Sequence, residues 1–256
     1  MSALFEPTDD GGWQPTALAR GPWSPDALHG GPPAALLARA LEPLLDPLVP
    51  VRLTVELLRP VPLAPLHIEA TLQRGGRKVR LARARLLHEG TEVATALALG
   101  IRAAAVTVPE QPAAEPPPGP VYGTARDTTL DAYRGFHNAG VEHSFVRGLL
   151  GQPGPATDWI RLAVPVVRDE TPSPLQRVAA AADFGNGISG LDEMNDLLFI
   201  NPDLTIHLHR LPVGEWICLD AVSRYEAHGI GMATSALYDE EGPIGRSVQS
   251  LLLDRR

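Results

Sequence analysis

Asp183 follows four consecutive alanines, Ala179 to Ala182, so a carboxylate emerges at the end of an apolar helical run. A carboxylate drawn out of water there is suited to general base work, and Asp is equally suited to capping or turning the chain ahead of Gly185-Asn186-Gly187. Gln249 lies in a strand-like run, either turned into a site or exposed on an edge strand. His29-Gly30-Gly31 precedes Pro32-Pro33, and such glycines either bring backbone N–H groups at a helix start against developing negative charge or simply make the turn. His207 and His209 share one strand face, with no third ligand spaced to complete a zinc site. Arg74, Arg77, Lys78 and Arg80 form a basic hairpin that could meet phosphates or be a solvated turn. Cys218, the only cysteine, stands between Ile217 and Leu219 and reads as a small buried filler, which excludes an internal disulfide and a cysteine metal cluster. The chain has no Gly-x-Ser-x-Gly, P-loop or dinucleotide fingerprint.

The elements that must position these residues are written twice. Leu53 to Arg102 recurs as Leu204 to Leu253 at a constant offset of 151. Leu53-Thr54-Val55-Glu56-Leu57-Leu58-Arg59 is answered by Leu204-Thr205-Ile206-His207-Leu208-His209-Arg210, and Val79, Leu86, Glu89, Val93 and Leu97 fall on Ile230, Leu237, Glu240, Ile244 and Val248. Such duplication sets the fold reading ahead of any motif. Gln249 takes the place of Ala98, so a site active in one copy only would find its polar residue in that copy only. Strands are expected over 51–58, 66–73, 79–88 and 92–101, separated by Pro60-Val61-Pro62, Gly75-Gly76 and Glu89-Gly90-Thr91. A helix over 32–45, small or apolar around most of its circumference, is the available cover for one face of that sheet. A hairpin around Thr8 to Gly12 precedes it. The second copy repeats the plan, with strands over 141–147 and 157–165, a helix from Ser173-Pro174 to at least Ala182, and four strands over 203–253. Ala103 to Pro120 holds six prolines and no periodic pattern, which predicts an extended linker. The expected organisation is a first unit over 1–102, a linker over 103–120 and a second unit over 121–256, in the α+β class.

Composition excludes several classes. Hydrophobic residues at 44% and charged residues at 20% fit an ordinary globular chain and neither a disordered nor a membrane one. The apolar runs are too short and too interrupted to span a bilayer. A net charge of −8 argues against general nucleic-acid binding. The N-terminal ten residues lack the basic start and apolar centre of a secretory signal, which leads us to expect a cytoplasmic protein.

His29-Gly30-Gly31, Val55-Glu56-Leu57-Leu58-Arg59-Pro60-Val61, Gly75-Gly76-Arg77-Lys78-Val79, Asp183-Phe184 and Val248-Gln249 together resemble the double-hotdog acyl-CoA thioesterases related to bacterial thioesterase II. The series covers nearly the whole chain in order and spacing. The resemblance implies a double hotdog, two tandem units each with a curved antiparallel sheet around a central helix. It implies hydrolysis of an acyl-CoA or other acyl thioester by a water held among Asp183, Asn201 and Gln249, without cofactor or metal. Asn201 departs from the family's usual small hydroxyl residue; it can hold a water but cannot be a nucleophile. His29, Gly30 and Gly31 are the expected substrate-binding residues, and the family's habit of pairing implies a homo-oligomer. Two other readings stand beside this one: an acyl-thioester binding protein without turnover, and a hotdog hydratase or dehydratase, which would need a His and a carboxylate facing the substrate, with His29 or His143 as the candidate.

Overall fold

A computed structural model describes residues 2–110, 115–127, 133–190 and 197–255 of the chain. Gln111 to Ala114 of the expected linker lie outside the described residues. The hairpin β1 (Phe5–Pro7) and β2 (Trp13–Pro15) leads to α1 (Gly31–Leu45), β3 (Val49–Leu57), β4 (His67–Arg74), β5 (Val79–His88) and β6 (Thr91–Ile101). Beyond the proline-rich stretch come β7 (Thr124–Ala125), β8 (Val141–Arg147), β9 (Ala156–Leu162), α2 (Pro174–Ala182) and the single turn α3 (Gly185–Ile188). The chain then forms β10 (Leu197–Ile200), β11 (Asp203–Leu208), β12 (Ile217–Tyr225), β13 (Ile230–Asp239) and β14 (Gly242–Arg255).

One antiparallel sheet carries the order β4-β5-β6-β3-β11-β14-β13-β12-β9-β8-β7, with β10 added beside the end of β14. The central eight strands read as a mirrored order: β4-β5-β6-β3 meets β11-β14-β13-β12. The join repeats the symmetry at residue level. β3 and β11 pair so that Thr54 faces Thr205, its own counterpart in the duplicated sequence (205 − 54 = 151), with the two hydroxyls 3.5 Å apart. A strand that pairs with its copy about matched residues places a twofold between the units.

Period-2 alternation explains which face is covered. Ala82, Ala84, Ala94, Ala96 and Ala98 turn inward and are at most 1% exposed, and side chains that small let α1 lie close on the sheet. Leu36, Leu37, Leu41 and Leu45 of α1 are fully buried, each contributing about 1.5–3 kcal/mol through removal from water. α1 and α2 lie against each other in opposite directions. At one end Gly31 approaches the Ala180 carbonyl so closely that a Cβ would stand 2.5 Å from its oxygen. At the other, Glu42 accepts from Ser173 Oγ at 2.7 Å.

Three local expectations are corrected. The strand expected to reach Pro165 leaves the sheet at Leu162, and the Pro165 and Val166 carbonyls take the Leu4 and Phe5 N–H groups instead, tying the N-terminus to the second unit. Arg80 of the basic hairpin turns back to the carbonyls of Leu45 and Asp46 at the C-terminal end of α1. β10 and α3 were not expected: β10 is too short to alternate, and α3 is built on Gly185 and Gly187, which as a sequence read as a turn. Residues 103–110 form neither helix nor strand and are exposed, whereas the far end of the proline-rich stretch is docked, Pro118 accepting from Trp159 Nε1 at 2.7 Å and Pro120 from Ser144 Oγ at 2.6 Å.

Candidate active site

α2 stops after nine residues, and Asp183 is its C-cap, still in helical conformation and 4% exposed. The following turn is glycine for a steric reason: a Cβ on Gly185 would stand 2.8 Å from Gln249 Oε1 and 2.9 Å from Ser235 Oγ. Gly30, at the entry of α1, is held to glycine by the same carboxylate, since its Cβ would fall 2.6 Å from Asp183 Oδ2. The antiparallel helices therefore bring the start of α1, from the first unit, onto the end of α2, from the second.

Donors converge on the Asp183 carboxylate. Asn201, directly after β10, donates through Nδ2 to Oδ1 at 2.8 Å. Gln249, pointing inward from β14, donates through Nε2 to Oδ1 and to the Asp183 carbonyl, each at 3.3 Å. His29 Nδ1 stands 2.9 Å from Oδ2. The same Nδ1 lies 3.2 Å from the Gly31 N–H, which would require a free lone pair on that nitrogen. The two are alternatives: with a hydrogen on Nδ1 His29 donates to Asp183, and with a lone pair there it accepts from Gly31. Pro32 and Pro33 have no N–H and Ala34 donates to the Gly30 carbonyl, so the backbone N–H that this first turn offers beside His29 is that of Gly31.

Asn186, in sequence only part of a turn, orients the amides. Its N–H donates to Gln249 Oε1 at 3.0 Å, and its Nδ2 to Asn201 Oδ1 at 3.4 Å. Each amide therefore has its carbonyl end held by Asn186 and its N–H end on Asp183. No signal in the sequence separates Asn186 from an ordinary turn residue between two glycines; the four-residue apolar run Leu197–Ile200 is the signal by which β10 was open to discovery. Around the cluster lies an aromatic wall. Phe184 packs on His29 at 4.6 Å and on Phe136 at 5.4 Å between ring centroids.

Asp183, Asn201, Gln249, His29, Gly30 and Gly31 are thus brought together. The basic hairpin is not among them, and His207 and His209 are exposed on the outer face. Cys218 is buried, and burial pushes its thiol far above the range in which thiolates form. Among the described residues no group of three or more His, Cys, Asp or Glu is placed to hold a metal ion. A surface hollow of about 570 Å³, lined by Ser2, Glu6, Thr16 and Arg168, touches none of the cluster. Its polar, open walls offer no chemistry comparable to a buried carboxylate with three converging donors. No helix among the described residues is long and apolar enough to cross a membrane.

Residues 19–103 match the family model of the acyl-CoA thioesterase N-terminal domain, and residues 106–253 that of the acyl-CoA thioesterase C-terminal domain. No curated protein matches the chain in sequence. Among solved structures, a conserved protein of unknown function with a hot dog fold from Alicyclobacillus acidocaldarius is 18% identical, with a TM-score of 0.74 over 96% of this chain and 93% of that one. A proposed thioesterase from Novosphingobium aromaticivorans is 21% identical at a TM-score of 0.74, covering 99% and 100%. An acyl-CoA thioesterase II from Mycobacterium marinum is 17% identical at a TM-score of 0.66, covering 98% and 96%. At these identities the likeness establishes the fold, a double hotdog.

Proposed function

Since the chain belongs to the acyl-CoA thioesterase family, we propose that it hydrolyses an acyl-CoA or related acyl thioester, with Asp183 as the base for a water held beside Asn201 and Gln249. The observation that carries this reading is the convergence of Asn201, Gln249 and His29 on one buried carboxylate. A carboxylate offers about four lone-pair sites. Two lie on Oδ1 and meet the two amides, one on Oδ2 meets His29, and the last is the acceptor for a proton of water.

Water attacks the thioester carbon, its proton passes to Asp183, the C–S bond breaks, and the thiolate leaves with a proton returned from the Asp183–His29 pair. The Gly31 N–H, at the positive end of α1, is the donor suited to the carbonyl oxygen as it gains charge. No covalent enzyme intermediate is needed. Asn201 in the place of a hydroxyl residue is consistent with this route, because its part is to orient and not to attack.

The His29–Asp183 pair also supports a second reading, addition of water to an enoyl thioester, which needs an imidazole and a carboxylate side by side. A panel of acyl-CoA substrates followed with a thiol-detecting reagent decides, run alongside enoyl-CoA hydration followed by ultraviolet absorbance. Thiol release that disappears in Asp183→Asn supports hydrolysis. Hydration without thiol release supports the second reading, and binding without either reaction returns the protein to the acyl-thioester binding class.

A further inference from the structure

A second buried imidazole–carboxylate pair also adjoins Phe184, and the hydrolytic route above leaves it unused. His143, on β8, and Asp158, on β9, have side chains 2% and 0% exposed, with Nδ1 2.5 Å from Asp158 Oδ2. His143 Nε2 is 3.1 Å from the His137 carbonyl, which only accepts, so Nε2 carries a hydrogen. The short Nδ1···Oδ2 contact then holds one further proton between ring and carboxylate. Asp158 Oδ1 takes the Ser144 N–H at 3.1 Å. Every polar atom of the pair is engaged, so neither residue has a free face for chemistry of its own.

What the pair does present is the body of the imidazole ring. His143 makes a T-shaped contact with Phe184, at 5.0 Å and 86°, and stacks on Phe145 at 5.7 Å. Phe184 follows Asp183 directly and carries His29 on its own face. We propose that His143 and Asp158 are positioning residues for the Asp183 centre: locked in one orientation by their shared proton, they set the Phe184 ring, and Phe184 sets Asp183 against His29.

The groups around the pair leave that orientation undisturbed. Burial pushes the Asp158 carboxyl up, while His143 and the Ser144 N–H draw it back down. Arg126 donates to the same His137 carbonyl at 3.3 Å, and Cys218 on β12, opposite Trp159, is a buried thiol that carries no charge. Glu142 and Arg161, the charged residues nearest on β8 and β9, pair with each other in the exposed layer at 2.6 Å. Asp183 and His29 adjoin the same Phe184 ring.

This inference rests on the hydrolase reading for its kinetic test and on geometry alone for its spectroscopic one. With the full chain and the acyl-CoA it cleaves best, His143→Leu lowers kcat about tenfold at unchanged KM, since misplacement of a reacting group by well under 1 Å has costs of that order. Asp158→Asn keeps kcat within about twofold, because its amide donates to Nδ1 while Nε2–H and the Ser144 contact persist. In a Phe184→Leu background the His143 change adds little. A folded His143→Leu with parental kcat, or losses at His143 and Phe184 that multiply independently, overturns the proposal. In NMR spectra of the same chain, Phe184→Leu moves the His143 ring signals and His143→Leu moves those of His29; should His143→Leu not fold, the Phe184→Leu arm decides, and unmoved His143 signals overturn the proposal. If the parent releases no thiol, the hydrolase reading fails, and the NMR arms alone decide this one.

Discussion

The two ends of the helix pair are built on the same plan and hold opposite kinds of interior. Both helices end on an aspartate, Asp46 after α1 and Asp183 after α2. α1 runs fifteen residues and carries Asp46 out to solvent, filling the space behind it with Leu41 and Leu45. α2 runs nine, and the early stop leaves Asp183 inside, against Gly30. The matched sheet positions follow suit: Gln249 and Asn201 of the second unit correspond to Ala98 and Pro50 of the first, both buried. Close behind Ala98, a Cβ on Gly100 would stand 3.2 Å from Leu48 and 3.3 Å from Leu45, so leucines press on the strand where the other unit has amides. A polar centre of this kind needs a helix that ends inside the sheet and partners for every buried polar atom. Duplication supplied two frames, and only one is furnished with them.

Breaking the furnished end gives the largest effect. Asp183→Asn keeps shape and removes the proton acceptor, and we expect kcat to fall about a hundredfold or more, measured by thiol release at saturating acyl-CoA. Transplanting one member into the apolar end shows that the centre does not come apart into single residues. Ala98→Gln puts an amide into a fully buried site without partners, costing about 2–5 kcal/mol from overpacking and unmet hydrogen bonds. Its melting temperature should drop by about 5–15 °C with no gain in turnover. The reverse change, Gln249→Ala, recreates the first unit's residue and removes an orienting group while the base stays; kcat should fall about tenfold, with KM nearly unchanged.

The smallest effect sharpens the comparison at the apolar end, where Glu42 is the only carboxylate caught between the helices among the described residues. Burial pushes its carboxyl above the ordinary value of 4.5, against the pull of Ser173, Gln176 and Arg177. A raised carboxyl favours the folded state most below the unfolded value, and that contribution is lost as pH rises through the folded one. Glu42→Gln, whose carbonyl can still accept from Ser173 and Gln176, should therefore raise the melting temperature by about 1–3 °C at pH 8. At pH 4 the two proteins should melt together. An equal gain at both pH values would assign the effect to packing and not to charge.

The sequence by itself determined the duplication, and with it more of the architecture than periodicity alone gives. An ungapped offset of 151 leaves no room for different strand connections, and the Thr54–Thr205 pairing places the same two copies back to back. Strands and helices were legible because alternation of inward and outward side chains is a local property, readable within ten residues. Asp183 drew notice locally, after an alanine run, and Gln249 through the duplication, in the place of Ala98, but the roles of both, like that of Asn201, were reached through resemblance. Tertiary structure alone decided the rest. That His29 and Gly30 meet Asp183 depends on α1 and α2 packing in opposite directions, which no pattern within either helix encodes. Asn186 is set apart from any other turn residue only by where β10 and β14 deliver Asn201 and Gln249, and Gly185 by the Gln249 oxygen it must clear. Such contacts are made between surfaces far apart in the chain, and the residues that make them are chosen by shape and hydrogen-bond geometry, which sequence order does not record.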